Sequence, residues 1–341
     1  MTSYDKITHK LFNNWLYINF FLIILMIIVG GLTRLTNSGL SITEWELVKG
    51  ILPPLNQISW NNYFELYKKI PQFELINPNM TLNEFKIIYY WEYVHRVLGR
   101  LIGLFFIIPL LYFHFIRKIN IKNLSIYYFV LVLIIIQGIV GWYMVKSGLV
   151  NNTTVSHYRL SLHLSMAIII LSTIFWQILN LKNNLNLYFF RSIKNNIQYF
   201  FLIFLIFSQV IMGAFVSGLD AGLIYQTWPL MGLNYFPDDL IIKNINSIID
   251  FNNHSLVQFY HRNLAYIISA YIIILSFFIF KKKNHSLISA AKILLFILFI
   301  QILLGVSTLI SGLNILLASA HQIFSIILVF SALNLYYKAI K

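Results

Sequence analysis

Cysteine is absent from all 341 residues, so the chain can form no disulfide, bind no metal through thiolate and use no cysteine nucleophile. Charge is scarce too. Only 11% of residues are Asp, Glu, Lys or Arg, too few to cover the surface of a water-soluble domain. Acidic groups are the scarcer sign, 11 against 25 basic ones. In a soluble protein that excess would suggest nucleic acid. In so apolar a chain it is a topological signal, because Lys and Arg set the direction of membrane spans, and nucleic acid is set aside as a partner. The start of the chain does not read as a cleavable leader either. The first apolar run, Leu16 to Leu32, is too long for a signal-peptide core and lacks a small-residue cleavage site, so it reads as a retained helix.

What fills the chain is hydrocarbon: 59% of residues are hydrophobic, which lipid can face and water cannot. Apolar stretches long enough to cross about 30 Å of bilayer fall near 14–34, 92–115, 124–145, 158–180, 197–218, 259–280, 288–311 and 314–337. The fold class expected is an all-α membrane protein with eight transmembrane helices. Two long segments, about 35–91 and 219–258, interrupt the pattern and have room for short surface helices. Lys6 and Lys10, then Arg117, Lys118 and Lys122, Lys182, Arg191 and Lys194, Lys281 to Lys283, and Lys338 and Lys341 all fall on one side. Opposite them, the second long segment carries Asp220, Asp238, Asp239 and Asp250 against Lys243, and the first is nearly balanced, with Lys49, Lys68, Lys69 and Lys86 among several Glu. The positive-inside rule therefore predicts cytoplasmic termini and both long loops outside.

The spans are also duplicated. Gly30, Gly39-Leu40 and Trp45 recur at one constant offset as Gly213, Gly222-Leu223 and Trp228. Gln137, Gly141 and Ser147-Gly148-Leu149 recur as Gln301, Gly305 and Ser311-Gly312-Leu313. His95-Arg96 matches His261-Arg262, and Leu162-His163 matches Ala320-His321. Four matches in one order are not chance, and an even number of spans per unit makes the repeats parallel. The domains expected are two four-helix bundles, residues 1–190 and 191–341.

Four of nine histidines, His95, His163, His261 and His321, thus sit inside spans at repeat-related places. The assigned direction puts them in the outer part of the membrane, within about two turns of the start of their helices. An intramembrane ionisable group is costly and by default functional. A lone one is most simply a helix-to-helix hydrogen bond. A repeated pair on two helices of a four-helix unit favours axial ligation of a flat haem between them. Small neighbours such as Gly99, Gly103, Ser165, Ala265 and Ser319 suit close approach of a macrocycle or of another helix. His157, His254, His9, His114 and His285 read as structural.

The two units differ beside the first histidine of each pair, where Glu92 stands in one and Gln258 in the other. Glu92 and His95, three residues apart, share a helix face. A carboxylate beside one haem and a neutral amide beside the other suggest one reactive centre and one electron relay. The plainer reading is that Glu92 only pairs with a neighbouring arginine. Arg96 and Arg262 suit either haem propionates or lipid headgroups.

These residues resemble the haem A synthase family, and the likeness runs through almost the whole chain. It is carried by Gly30-Gly31-Leu32-Thr33-Arg34-Leu35-Thr36 with Ser38 to Ser41 and Glu44-Trp45, and by Glu92 to Arg96 with Gly99-Arg100. Gln137-Gly138 with Gly141 to Leu149, Tyr158-Arg159-Leu160 with His163-Leu164, and Gly213 to Gly222 extend it. Thr227-Trp228-Pro229, Gln258 to Arg262 and His321-Gln322 complete it. The resemblance implies oxidation of a methyl group of haem O to the formyl group of haem A, by way of a hydroxylated intermediate. It implies a haem b in the C-terminal half, ligated by His261 and His321, and a substrate haem in the N-terminal half beside His95, His163 and Glu92. Without cysteine, the chain is similar to the branch found in alphaproteobacteria and mitochondria, and a short N-terminus without a transit sequence favours the bacterial side.

Two rivals remain at this stage. A di-haem cytochrome passing electrons to or from quinone predicts the same pigments but no new haem product. A small-solute transporter with parallel repeats predicts no haem at all. The partners expected are haem O, an electron donor and the lipid bilayer, with the enzyme that produces haem O as a candidate contact and a homo-oligomer as a candidate assembly.

Overall fold

The computed structural model describes residues 3–44, 49–116, 121–191, 193–241 and 244–341. Trp45, Arg117, Lys118 and Lys243, used above in the repeat and charge readings, lie outside these residues, as do the side chains of Lys6, Lys49 and Lys122. The described residues form long helices: α1 (Ser3–Leu35), α4 (Leu82–Phe115), α5 (Ile121–Asn151), α6 (His157–Asn183), α7 (Ile197–Gly218), α9 (His254–Lys281), α10 (His285–Ile310) and α11 (Ile315–Ile340). All eight are long and apolar enough to cross a membrane, as expected, and the protein is a multi-pass membrane protein. Short helices α2 (Gln57–Tyr67), α3 (Pro71–Leu75) and α8 (Ile245–Ile248) occupy the two long connecting segments.

Local chemistry sets the helix ends. Asn253, Asn284 and Asn314 each turn a side-chain oxygen to the first free N–H groups of α9, α10 and α11. A capping box of Thr81 and Glu84 starts α4 about ten residues before its apolar run. At 34 residues, α4 is some 50 Å long by its rise per residue, well beyond the hydrocarbon thickness. Its extra turns are held by aromatic packing rather than lipid. Phe85 and Tyr89 join Trp60, Phe64 and Tyr67 of α2 in a buried cluster with Leu40 and Ile42, each fully buried ring contributing roughly 1.5–3 kcal/mol.

The chain divides into two compact units, Met1–Ile174 and Phe175–Lys341. The division falls inside α6, because Trp176 and Asn180 in its second half hydrogen-bond the Leu187 backbone, and Tyr337 of α11 reaches Asn180. In the first unit α1 packs on α4 and α4 on α5. In the second, α7 packs on α9 and α11, and α10 on α9 and α11, closing a ring of four.

Candidate functional site

The two imidazoles of the first unit come together. His95 on α4 and His163 on α6 have ring centroids 6.4 Å apart and planes tilted by 60°. In the second unit, His261 lies on α9 and His321 on α11, two helices that both pack against α7 and α10. His163, His261 and His321 lie within about two turns of their helix starts, as expected. His95 does not, because α4 begins at Leu82 and puts it in the fourth turn.

Each ring rests against a glycine of a neighbouring helix. A Cβ built on Gly30 of α1 would stand 3.1 Å from His95 Nε2, and one on Gly141 of α5 would stand 3.0 Å from His163 Cε1. The second unit repeats both contacts, Gly213 of α7 at 3.3 Å from His261 Cε1 and Gly305 of α10 at 2.9 Å from His321 Cε1. Bare backbone at these points lets ring and helix approach more closely than most side chains would allow. Gly103, singled out above for its size, has nothing within 4 Å of such a Cβ. The glycines that touch the rings were visible in the sequence only as repeat markers.

Glutamines form a second set of contacts. Gln137 of α5 donates to the His163 carbonyl (2.9 Å), and Gln209 of α7 donates to the His261 carbonyl (3.0 Å). The Gln209 amide nitrogen also lies 3.2 Å from His261 Nδ1, and that of Gln301 lies 3.5 Å from His321 Nε2. The Oε1 atoms of Gln137, Gln209 and Gln301 are buried without a partner. Gln209 is the one the repeat comparison passed over, and its signal was simply a polar amide in the middle of an apolar span.

Glu92 is buried and fully engaged. Its Oε2 accepts from Ser41 Oγ and from the Ile42 N–H, both at 2.8 Å, while Oε1 pairs with Arg96 Nη2 at 2.6 Å. Arg96 in turn donates to the Ile42 carbonyl at 2.9 Å. The second unit repeats the arginine tie, Arg262 Nη2 donating to the Tyr225 carbonyl at 2.9 Å, while Gln258 Nε2 donates to that same carbonyl at 2.9 Å instead of accepting from an N–H. Tyr225 follows Ile42 at the offset that separates Gly213 from Gly30. Arg96 and Arg262 therefore fasten the segment that follows α1 or α7 onto the histidine-bearing helix of the same unit, a task the sequence reading did not include. Arg262 keeps a buried Nε without a partner, whereas Arg100, with no arginine at its repeat position, holds the Gly50 carbonyl at 3.0 Å.

The remaining histidines stand apart from the pairs. His157 opens α6 and His285 opens α10. His254 is the first residue of α9 rather than part of a loop, and lines a polar cavity of about 430 Å³ with Asp239 and Asp250.

A haem iron fits the paired residues. A metal–imidazole bond of about 2 Å on each face of one iron puts ring centroids roughly 6 Å apart, close to the separation of His95 and His163. His163 Nδ1 and His321 Nδ1 are also buried without a hydrogen-bond partner, a condition that costs about 1–3 kcal/mol unless another ligand takes the ring.

Comparison with known proteins agrees on one family. A family profile described as cytochrome oxidase assembly protein matches residues 13–333. The chain is 49% identical to the "Heme A synthase" of Pelagibacter ubique over 331 residues, 95% of each chain. It is 42% identical to the "Heme A synthase" of Rickettsia felis and 44% identical to that of Rickettsia bellii, over 94% of this chain and 95% of each relative.

Proposed function

The chain belongs to this cytochrome oxidase assembly family, and from that premise we propose that it is a haem A synthase, an oxidoreductase that converts a methyl group of haem O to the formyl group of haem A through an alcohol. The observation that carries the reading to this chain's own residues is the His95–His163 pair, with ring centroids 6.4 Å apart on two helices. Its repeat in His261 and His321 supports a second haem position.

In this reading residues 1–190 form the substrate half, where His95 and His163 hold the iron of haem O. Residues 191–341 form the second half, where His261 and His321 hold haem b. When bound, haem b supplies one-electron transfer. The protein supplies position. Gly30 and Gly141 let the first pair of rings seat against α1 and α5, and Gly213 and Gly305 do the same for the second pair. Glu92 keeps a fixed negative charge one helical turn from His95, on the same face, where it can oppose positive charge developing at the oxidised carbon. Its hydrogen bonds to Ser41 and Ile42 hold that charge still. Gln258 offers no charge at the repeated position, which suits a centre that relays electrons. The Nε of Arg262 suits a haem propionate.

The direction of the spans belongs to the same proposal. Lys182, Lys281 to Lys283 and Lys338 lie at the ends of α6, α9 and α11 remote from the histidines. That asymmetry supports cytoplasmic termini and histidine pairs towards the periplasmic side of an inner membrane.

The test is expression with a supply of haem O, followed by chromatography of the extracted haems. Haem A and its hydroxylated precursor are the expected products. Bound haem with haem O returned unchanged would point instead to an electron-carrying cytochrome and overturn the proposal.

A further inference from the structure

The two units treat their imidazoles differently. In the second unit both rings are touched by a glutamine amide from the adjoining helix. Gln209 Nε2 lies 3.2 Å from His261 Nδ1 and 3.4 Å from Nε2, and Gln301 Nε2 lies 3.5 Å from His321 Nε2. In the first unit Gln137 reaches only the backbone of His163. The offset that relates Gly30 to Gly213 relates Met26 to Gln209. Met26 fills the corresponding niche on α1: its methyl group would be 3.4 Å from a Cβ on Gly99, one turn beyond His95. A thioether at this place offers the ring no N–H and only a weak acceptor.

We propose that Gln209 is a positioning residue that fixes the His261 ring, and that Met26, in its place, leaves the His95 ring able to turn. A ligating histidine normally donates its second ring nitrogen to an oxygen, which fixes its orientation. Here the ring is fixed by contact instead: Gln209 Nε2, itself held by the His261 carbonyl at 3.0 Å, lies almost equally far from both ring nitrogens. The second unit is thereby built to keep both rings on one iron. The first is built to let His95 swing aside when haem O enters or product leaves. The inference rests on the haem reading given above and deepens it by assigning the fixed and the mobile ligand.

Two full-length variants test it, Gln209→Met and Met26→Gln, each giving one unit the other's residue. Purified Gln209→Met is expected to gain a high-spin fraction in its absorption and electron paramagnetic resonance spectra. It should also release haem from the second unit up to about tenfold faster, the scale of one lost hydrogen bond. Met26→Gln should leave the second unit's spectrum unchanged, convert added haem O to a more fully six-coordinate form and slow turnover by about the same factor. Wild-type spectra and haem release in Gln209→Met, or wild-type haem O spectra in Met26→Gln, overturn the inference alone. Wild-type protein that takes up no haem overturns the functional reading beneath it. Met26→Gln tests the idea independently should Gln209→Met fail to fold.

Discussion

Glu92 and Arg96 form an ion pair one turn apart on α4, Oε1 to Nη2 at 2.6 Å, with Glu92 almost wholly buried. The pair holds both backbone polar groups of one residue: Glu92 accepts from the Ile42 N–H, and Arg96 donates to the Ile42 carbonyl. At the repeated position an amide suffices, because Gln258 and Arg262 both donate to the Tyr225 carbonyl. A negative charge is therefore not required to fasten this segment, and the charge of Glu92, paired though it is with Arg96, is proposed to serve the chemistry as well.

Replacing Glu92 with Gln separates those purposes. The variant should lose about 1–3 kcal/mol of stability, the cost of leaving Arg96 without its buried partner. It should still fold and still carry haem in its second unit, while formyl formation falls by two orders of magnitude or so, the scale of losing one preorganised electrostatic group. Chromatography of extracted haems and a thermal melt check the two halves of this statement. Loss of all haem would make Glu92 a structural residue only.

Gly305→Ala places a methyl group 2.9 Å from His321 Cε1, inside any tolerable contact. The ring must move, and the expected outcome is a folded protein whose second haem is lost or altered in its spectrum. Gly103→Ala is the control. Nothing stands within 4 Å of its Cβ, so the spectrum should not change, and the helix should gain up to about 1 kcal/mol from the better helix former.

His261→Ala and His95→Ala should differ in what survives. The first removes a proposed ligand of the second unit and should abolish its haem spectrum. The second should leave that spectrum intact and abolish turnover. Absorption of the two purified variants, with and without added haem O, decides the matter. Identical spectra in both would break the assignment of one haem to each pair.

Acid should loosen the segment between α7 and α9 at a definite point. Asp239 accepts from Tyr225 and from Ser255, both at 2.6 Å. Burial works to raise its pKa, but the Ser255 and Tyr225 hydrogen bonds outweigh this and hold it below the usual aspartate range. A depressed folded value means the bonds add stability above the ordinary pKa of about 3.9 and lose it as pH falls through the folded value. Limited proteolysis of this segment should be flat from neutral pH to about 5 and rise in more acidic buffer, and Asp239→Asn should remove the step.

Much of this molecule was readable in the chain because the bilayer imposes a simple rule. Runs of Leu, Ile and Phe must be helical and must span, and His, Gly and Gln recur at fixed offsets in the two halves of the chain. The start of α4 escaped because residues 82–91 are held by the Thr81–Glu84 box and by Phe85 and Tyr89 packing on α2, and neither depends on lipid. The work of Arg96 and Arg262 escaped because their partners are backbone carbonyls some fifty and thirty-five residues away, and a carbonyl leaves no mark on composition. Gln209 escaped because its counterpart is a methionine, so the comparison of halves found no match where the difference itself was informative.

The glycines against the four rings carry a genetic consequence. Every missense change of a glycine codon adds at least one carbon to the backbone, and at Gly30, Gly141, Gly213 and Gly305 that carbon would press on an imidazole. Inherited damage to such a protein would then concentrate at four places with no reactive group, which a survey of acids, bases and ligands would pass by.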